Sequence, residues 1–336
     1  MTTIDIFNPQ ISKVARGLEG KAILVYGDNG LGKTFQATRM ERPFYIGFEM
    51  GIRGISGVPF APINTWGDFK KVNKQLTDPR TLAKAREMYQ TIIFDEVYAS
   101  ARMAQDYVCR KYGAEHIGEL TPEGENRPNL YVAYEAEYFR EIDKLLKSGY
   151  TLMFIGHETV DNKTKQINPK GDKRSMEVIR DNADFCVYLT NNGLDQDGNP
   201  LNSSAHFFQT PQFFARSRYT KMVNTIENYT AENLEAAIIK AIEDEEKENG
   251  VSSVTFEEQK EMLTSVKLTI QEAIDKAQEI GGKIAEAGFL QDVIETVEKH
   301  LGKGIKLTDA KKGQEDIIGV LIMDLEGILE EKTSAE

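Results

Sequence analysis

The residues best suited to chemistry in this 336-residue chain stand together at positions 25–34, VYGDNGLGKT. Gly27-x-x-x-x-Gly32-Lys33-Thr34 is the spacing of a phosphate-binding loop. Glycines there let the backbone N–H groups of Gly27, Asp28, Asn29, Gly30, Leu31, Gly32, Lys33, Thr34 and Phe35 turn toward phosphate oxygens without a side chain in the way. The Lys33 ammonium is matched to β- and γ-phosphates, and the Thr34 hydroxyl is a hard oxygen suited to Mg²⁺. The ligand implied is ATP with Mg²⁺. The pattern carries weight where a strand leads in and a helix leads out. Both are read here, since KAILVYG (21–27) is apolar and β-branched, and the helix that the loop opens would add the positive end of its dipole.

A phosphate loop needs an acid on a neighbouring strand. TIIFDE (91–96) supplies Asp95, whose carboxylate is placed to hold Mg²⁺ through water. Two further acids compete to orient the attacking water. Glu96 follows Asp95 directly, and Glu49 ends the apolar run PFYIGFE (43–49) that comes after the phosphate-loop helix. The residues by themselves leave both open.

The elements that must position these groups alternate in type. Residues 21–27, 43–49, 89–96, 150–158 and 183–190 are short and rich in β-branched and aromatic side chains, which predicts strands. Between them lie helical patterns. The clearest is YVAYEAEYFREIDKLLKSG (131–149), with Val132, Tyr138, Ile142, Leu145 and Leu146 near helical spacing and Gly149 as its stop. Such alternation predicts an α/β core, a mostly parallel sheet flanked by helices. AHFFQTPQFFARSRY (205–219) reads as an antiparallel pair at the sheet edge, turning near Pro211.

Charge divides the chain. Residues 241–336 hold 23 acidic and 11 basic side chains, which accounts for the whole net charge of −12 and leaves the front of the chain neutral. TAENLEAAIIKAIEDEEKE (230–248), the stripe Val266, Ile270, Ala273, Ile274, Ala277 and Ile280, and two later apolar repeats predict helices. The organisation expected is a core over residues 1–228 and an acidic helical module over 229–336. Cys109 and Cys186 lack metal-site spacing and read as buried thiols. No apolar run is long enough to span a membrane and no signal-peptide layout opens the chain, so a cytoplasmic protein without a membrane partner is expected.

With the phosphate loop, Asp95 and Glu49 in place, the chain resembles the RecA/RadA recombinase family, and the fold this implies is a RecA-like core. The resemblance makes Glu49 the catalytic base and Glu96 its competitor. It places His157, in FIGHET, where the family has a polar sensor of the γ-phosphate. It makes VDNKTKQINPKGDKRSMEVIR (160–180) a mobile DNA-binding loop, with Lys163, Lys165, Lys170, Lys173, Arg174 and Arg180 facing phosphates. Arg216 and Arg218, in ARSRY, are similar to the Lys-Asn-Arg-Phe signature of RadA-type proteins and would reach a neighbouring subunit's nucleotide. Within that superfamily the chain looks most like phage nucleotide-binding proteins, which implies ATP hydrolysis coupled to single-stranded DNA, annealing or recombination, assembly as a ring or filament, and a single-stranded-DNA-binding protein as a partner. A helicase-type or loader ATPase, and a nucleotide-controlled interaction switch that ignores DNA, are the alternative functions.

Overall fold

The computed structural model describes residues 7, 9–49, 51–123, 125–263 and 268–333. Its strands are β1 Ala22–Gly27, β2 Pro43–Gly47, β3 Phe60–Pro62, β4 Thr91–Asp95, β5 Thr151–Val160, β6 Ile167–Pro169, β7 Phe185–Thr190, β8 Ser204–His206, β9 Arg216–Ser217 and β10 Thr225–Ile226. Its helices are α1 Lys33–Ala37, α2 Trp66–Thr77, α3 Leu82–Met88, α4 Val97–Lys111, α5 Leu130–Lys147, α6 Lys173–Arg180, α7 Ala231–Asn249, α8 Phe256–Leu263, α9 Ile270–Glu286, α10 Leu290–Leu301 and α11 Glu315–Thr333. The chain divides into a unit over residues 12–260 and a second one built on α9–α11.

The first unit is the expected α/β core. Its sheet runs β10-β8-β7-β1-β5-β4-β2-β3, with β7 through β3 parallel and the short strands β6, β8, β9 and β10 antiparallel. Both faces are covered, so the central strands are apolar at every position rather than at alternate ones. Leu24, Phe94 and Phe154 pack on one side against Trp66, Phe69, Tyr134, Tyr138 and Val97 from α2, α4 and α5. Ile23, Val25, Ile93 and Met153 pack on the other against Ala37, Leu234, Ile238 and Ala241 from α1 and α7. This sandwich makes the carboxyl ends of β1, β4 and β5 a rigid rim.

Several expectations are corrected. The helix at 231–249 belongs to the core, because the apolar face of α7 is buried in the sheet; the division falls after Lys260 rather than at 228/229. Residues 160–180 are not an irregular loop. They form the β5–β6 hairpin followed by α6, which Asp172 caps by accepting from the Ser175 N–H. The strands at 205–219 do not pair with each other. β8 and β9 both pair with β7, and Thr210 and Phe213 close the turn around Pro211. Val132 points to solvent, while Tyr134, Tyr138, Ile142 and Leu145 form the buried stripe of α5. β2 stops at Gly47, so Glu49 lies beyond the strand end.

In the second unit Ala273, Ile274, Ala277, Ile280 and Ile284 of α9 pack against Ile318, Leu321, Ile322 and Leu325 of α11. Thr269 and Glu272 form a capping box that starts α9. Val266, part of the expected stripe, lies outside the described residues. Among the described residues no helix is long and apolar enough to cross a membrane, and Cys109 and Cys186 are buried free thiols.

Candidate functional site

The loop leaves β1 at Gly27, where a Cβ would come within 2.9 Å of the Leu189 carbonyl oxygen; no other residue fits there. Gly32 opens α1 with φ 77°, a left-handed conformation that favours glycine. Leu31 is buried beneath the loop and its carbonyl accepts from Ser203 Oγ at 3.0 Å, while Asp28, Asn29 and Gly30 face solvent. The crest is thus open and its base pinned. Because α1 has only five residues, its dipole adds little, and the loop N–H groups carry the anion-binding capacity. Lys33 Nζ is folded back on the carbonyls of Gly27, at 3.0 Å, and Asp28. Burial pulls its pKa down, with Asp95 and Asp28 opposing. An ammonium so desolvated has strong reason to exchange two carbonyls for phosphate oxygens.

Asp95 ends β4 as a buried carboxylate, and Thr34 Oγ1 donates to its Oδ2 at 2.7 Å. Burial raises the Asp95 carboxyl above its usual range, while the hydrogen bonds from Thr34 and Tyr45 work the other way. A hydroxyl and a carboxylate in contact, with the phosphate loop alongside, are the oxygen donors Mg²⁺ takes. β5 lies between β1 and β4 and sets His157 level with Gly27. Burial lowers the His157 pKa, helped by Lys33 and Lys170, so the ring is neutral at neutral pH.

A family model for the AAA domain matches residues 19–219, the span that contains this loop, the acid strand and both arginines of ARSRY. The chain belongs to the AAA domain family. It is also 48% identical, over 98% of its length and 99% of the other protein's, to the SPbeta prophage-derived uncharacterized protein YorG of Bacillus subtilis (strain 168). Membership makes the core a phosphate-loop ATPase domain, in agreement with its sheet.

In this AAA domain the remaining predicted residues divide into groups. Glu49 is exposed, and its backbone N–H bonds the Asp95 carbonyl at 3.2 Å. Its charge is felt at Asp95, Glu96 and His157, so all four lie around one space. Glu96 is buried and caps α4, accepting from the Tyr98 N–H at 3.3 Å. Burial, and next the Glu49 charge, push its carboxyl up to about 7. Lys170 joins this group. Its N–H bonds the His157 carbonyl at 2.8 Å, and its charge reaches Glu96 and His157. Lys163 and Lys165 sit at the exposed hairpin tip, where Asp161 Oδ1 accepts from the Lys163 and Thr164 N–H groups. Lys173 and Arg174 are exposed in the first turn of α6, the Arg174 guanidinium lying 4.6 Å from the Tyr131 ring centre. Arg180 is separated from them, half-buried 4.3 Å over the Phe214 ring.

Arg216 and Arg218 lie elsewhere. They flank the start of β7, at the level of the first half of β1, roughly 10–17 Å of strand from Gly27. The Arg216 guanidinium donates to the carbonyls of Arg180, Asp181 and Ala183, closing the end of α6, and Arg218 donates to the Asp181 carbonyl and pairs with Asp184 at 3.7 Å. Sequence reasoning missed Tyr45, whose hydroxyl donates to Asp95 Oδ2 at 3.1 Å. Nothing in a tyrosine inside an apolar strand signals that contact.

Proposed function

We propose that this chain is a phage ATPase of the RecA-like branch that binds single-stranded DNA and assists annealing or recombination. The observation that carries this is the continuity of one strand. β5 holds His157 beside the phosphate loop, runs on to the hairpin tip bearing Lys163 and Lys165, and returns as β6 to Lys170, whose N–H closes on the His157 carbonyl. A change at the γ-phosphate therefore has a short rigid path to an exposed basic tip. Lys173 and Arg174 add exposed basic charge at the foot of the same hairpin, where α6 begins and Arg174 lies over the Tyr131 ring. The prophage name of the YorG relative supports a phage origin, and so action in a bacterial cytoplasm.

In this reading the loop residues from Gly27 to Phe35 hold ATP and Lys33 neutralises its phosphates. Thr34 and Asp95 would hold Mg²⁺, which would supply positive charge against that developing on the phosphates. Glu49 orients and deprotonates the attacking water. It is the acid facing open space, while Glu96 is buried and engaged as a helix cap. Arg216 and Arg218, distant from their own subunit's phosphate loop, would act only across a boundary in a ring or filament.

The test replaces Lys163, Lys165, Lys173 and Arg174 with Ala together and leaves Lys170, which belongs to the nucleotide site, in place. Single-stranded DNA binding should weaken on every sequence, and its salt slope should fall by about 0.7 per lost phosphate contact. DNA stimulation of ATP hydrolysis should vanish while ATP affinity stays. Unchanged DNA affinity would overturn the DNA-binding reading and favour the interaction switch.

A further inference from the structure

Tyr45 is fully buried in β2, two residues before the strand reaches the level of Asp95. Its ring and hydroxyl are closely fitted between two glycines. A Cβ on Gly47 would stand 3.0 Å from Tyr45 Cε1, and one on Gly51 would stand 3.2 Å from the hydroxyl and 3.0 Å from Asp95 Oδ2. The hydroxyl donates to Asp95 Oδ2, the same oxygen that accepts from Thr34, and it faces the Ile52 backbone N–H. One phenol thus joins three things: the acid of the metal site, the phosphate-loop threonine through that acid, and the Gly51–Gly54 turn that follows Glu49 in sequence.

We propose that Tyr45 is a positioning residue: it fixes the Asp95 carboxylate for Mg²⁺ and ties the Gly51–Gly54 turn to that carboxylate, so that metal binding and the placement of Glu49 are coupled. With Thr34 and Tyr45 both donating to Oδ2, the carboxylate is held in one orientation, the one in which it would receive Mg²⁺. Without the phenol, Oδ2 retains one donor and the Ile52 N–H loses its acceptor. The carboxylate is freed to rotate, and the turn loses its anchor.

The inference rests on the ATP and Mg²⁺ reading above. The test uses Tyr45→Phe, which keeps the ring and removes only the hydroxyl, and measures binding of a fluorescent ATP analogue across a Mg²⁺ titration and in EDTA. The Mg²⁺ concentration for half-maximal tightening should rise about tenfold, the usual effect of one hydrogen bond to a charged group. Binding in EDTA should be unchanged. Gly51→Ala, which pushes a methyl against both Asp95 Oδ2 and the hydroxyl without removing either, should shift the titration in the same direction. An unchanged Mg²⁺ midpoint in Tyr45→Phe overturns the proposal, and so does an equal loss of affinity with and without metal, which would mark a merely structural residue. Failure of the unaltered protein to bind the analogue in a Mg²⁺-dependent way would instead refute the ATP and Mg²⁺ reading itself.

Discussion

Glu96→Gln should stabilise the metal-free and nucleotide-free protein at alkaline pH and barely change it near pH 4. Burial, and secondarily the Glu49 charge, raise the Glu96 carboxyl from 4.5 to about 7 in the folded chain. The fold therefore prefers the protonated acid. Its contribution to stability is fully present below the unfolded value of 4.5 and is lost as pH rises through about 7. At about 1.4 kcal/mol per pH unit, that interval amounts to about 3 kcal/mol of stability lost by pH 8, of which about 1 kcal/mol is already gone at pH 5. Glutamine stays neutral, and its carbonyl oxygen can still accept from the Tyr98 N–H that Glu96 caps. Urea unfolding of both proteins at pH 5 and pH 8 should show the advantage of the variant growing by about 2 kcal/mol. Glu49→Gln supplies a second arm, because removing its charge should let the raised Glu96 carboxyl fall back toward its ordinary value, so that the alkaline loss ends at lower pH and is smaller. The same pair separates the catalytic roles, with Glu49→Gln binding ATP without hydrolysing it and Glu96→Gln remaining active. A pH-independent stability difference would refute the burial argument, and an active Glu49→Gln beside an inactive Glu96→Gln would make Glu96 the base.

Lys33→Ala should abolish ATP binding, measured by calorimetry, without lowering the melting temperature of the nucleotide-free protein, since the buried ammonium is held at a depressed pKa when no phosphate is present. Arg216→Ala should cost about 2 kcal/mol in urea unfolding by taking the guanidinium donor from the carbonyls of Arg180 and Ala183, while Asp181 keeps its bond from Arg218, with ATP affinity nearly intact. If Arg216 also acts across a subunit boundary, turnover should fall further, and mixing that variant with Glu49→Gln protein should restore part of it.

The sequence by itself determined the parts of this AAA domain whose physics is local. A glycine-spaced turn between an apolar strand and a helix start is a property of consecutive residues, so the phosphate loop and its Lys33 and Thr34 were legible, as were the buried parallel strands and the acid at the end of β4. Tertiary structure decided whatever depends on register and on partners far along the chain. Tyr45 meets Asp95 across 50 positions, Lys170 is brought to His157 by a hairpin, and Arg216 finds the end of α6 across 33 to 36 positions. The amphipathic pattern of α7 announced a helix with an apolar face, but not that the face would be buried on the sheet of the core. A periodic pattern fixes which side of an element must be covered. What covers it is a matter of contacts between distant segments, and those exist only once the chain has packed.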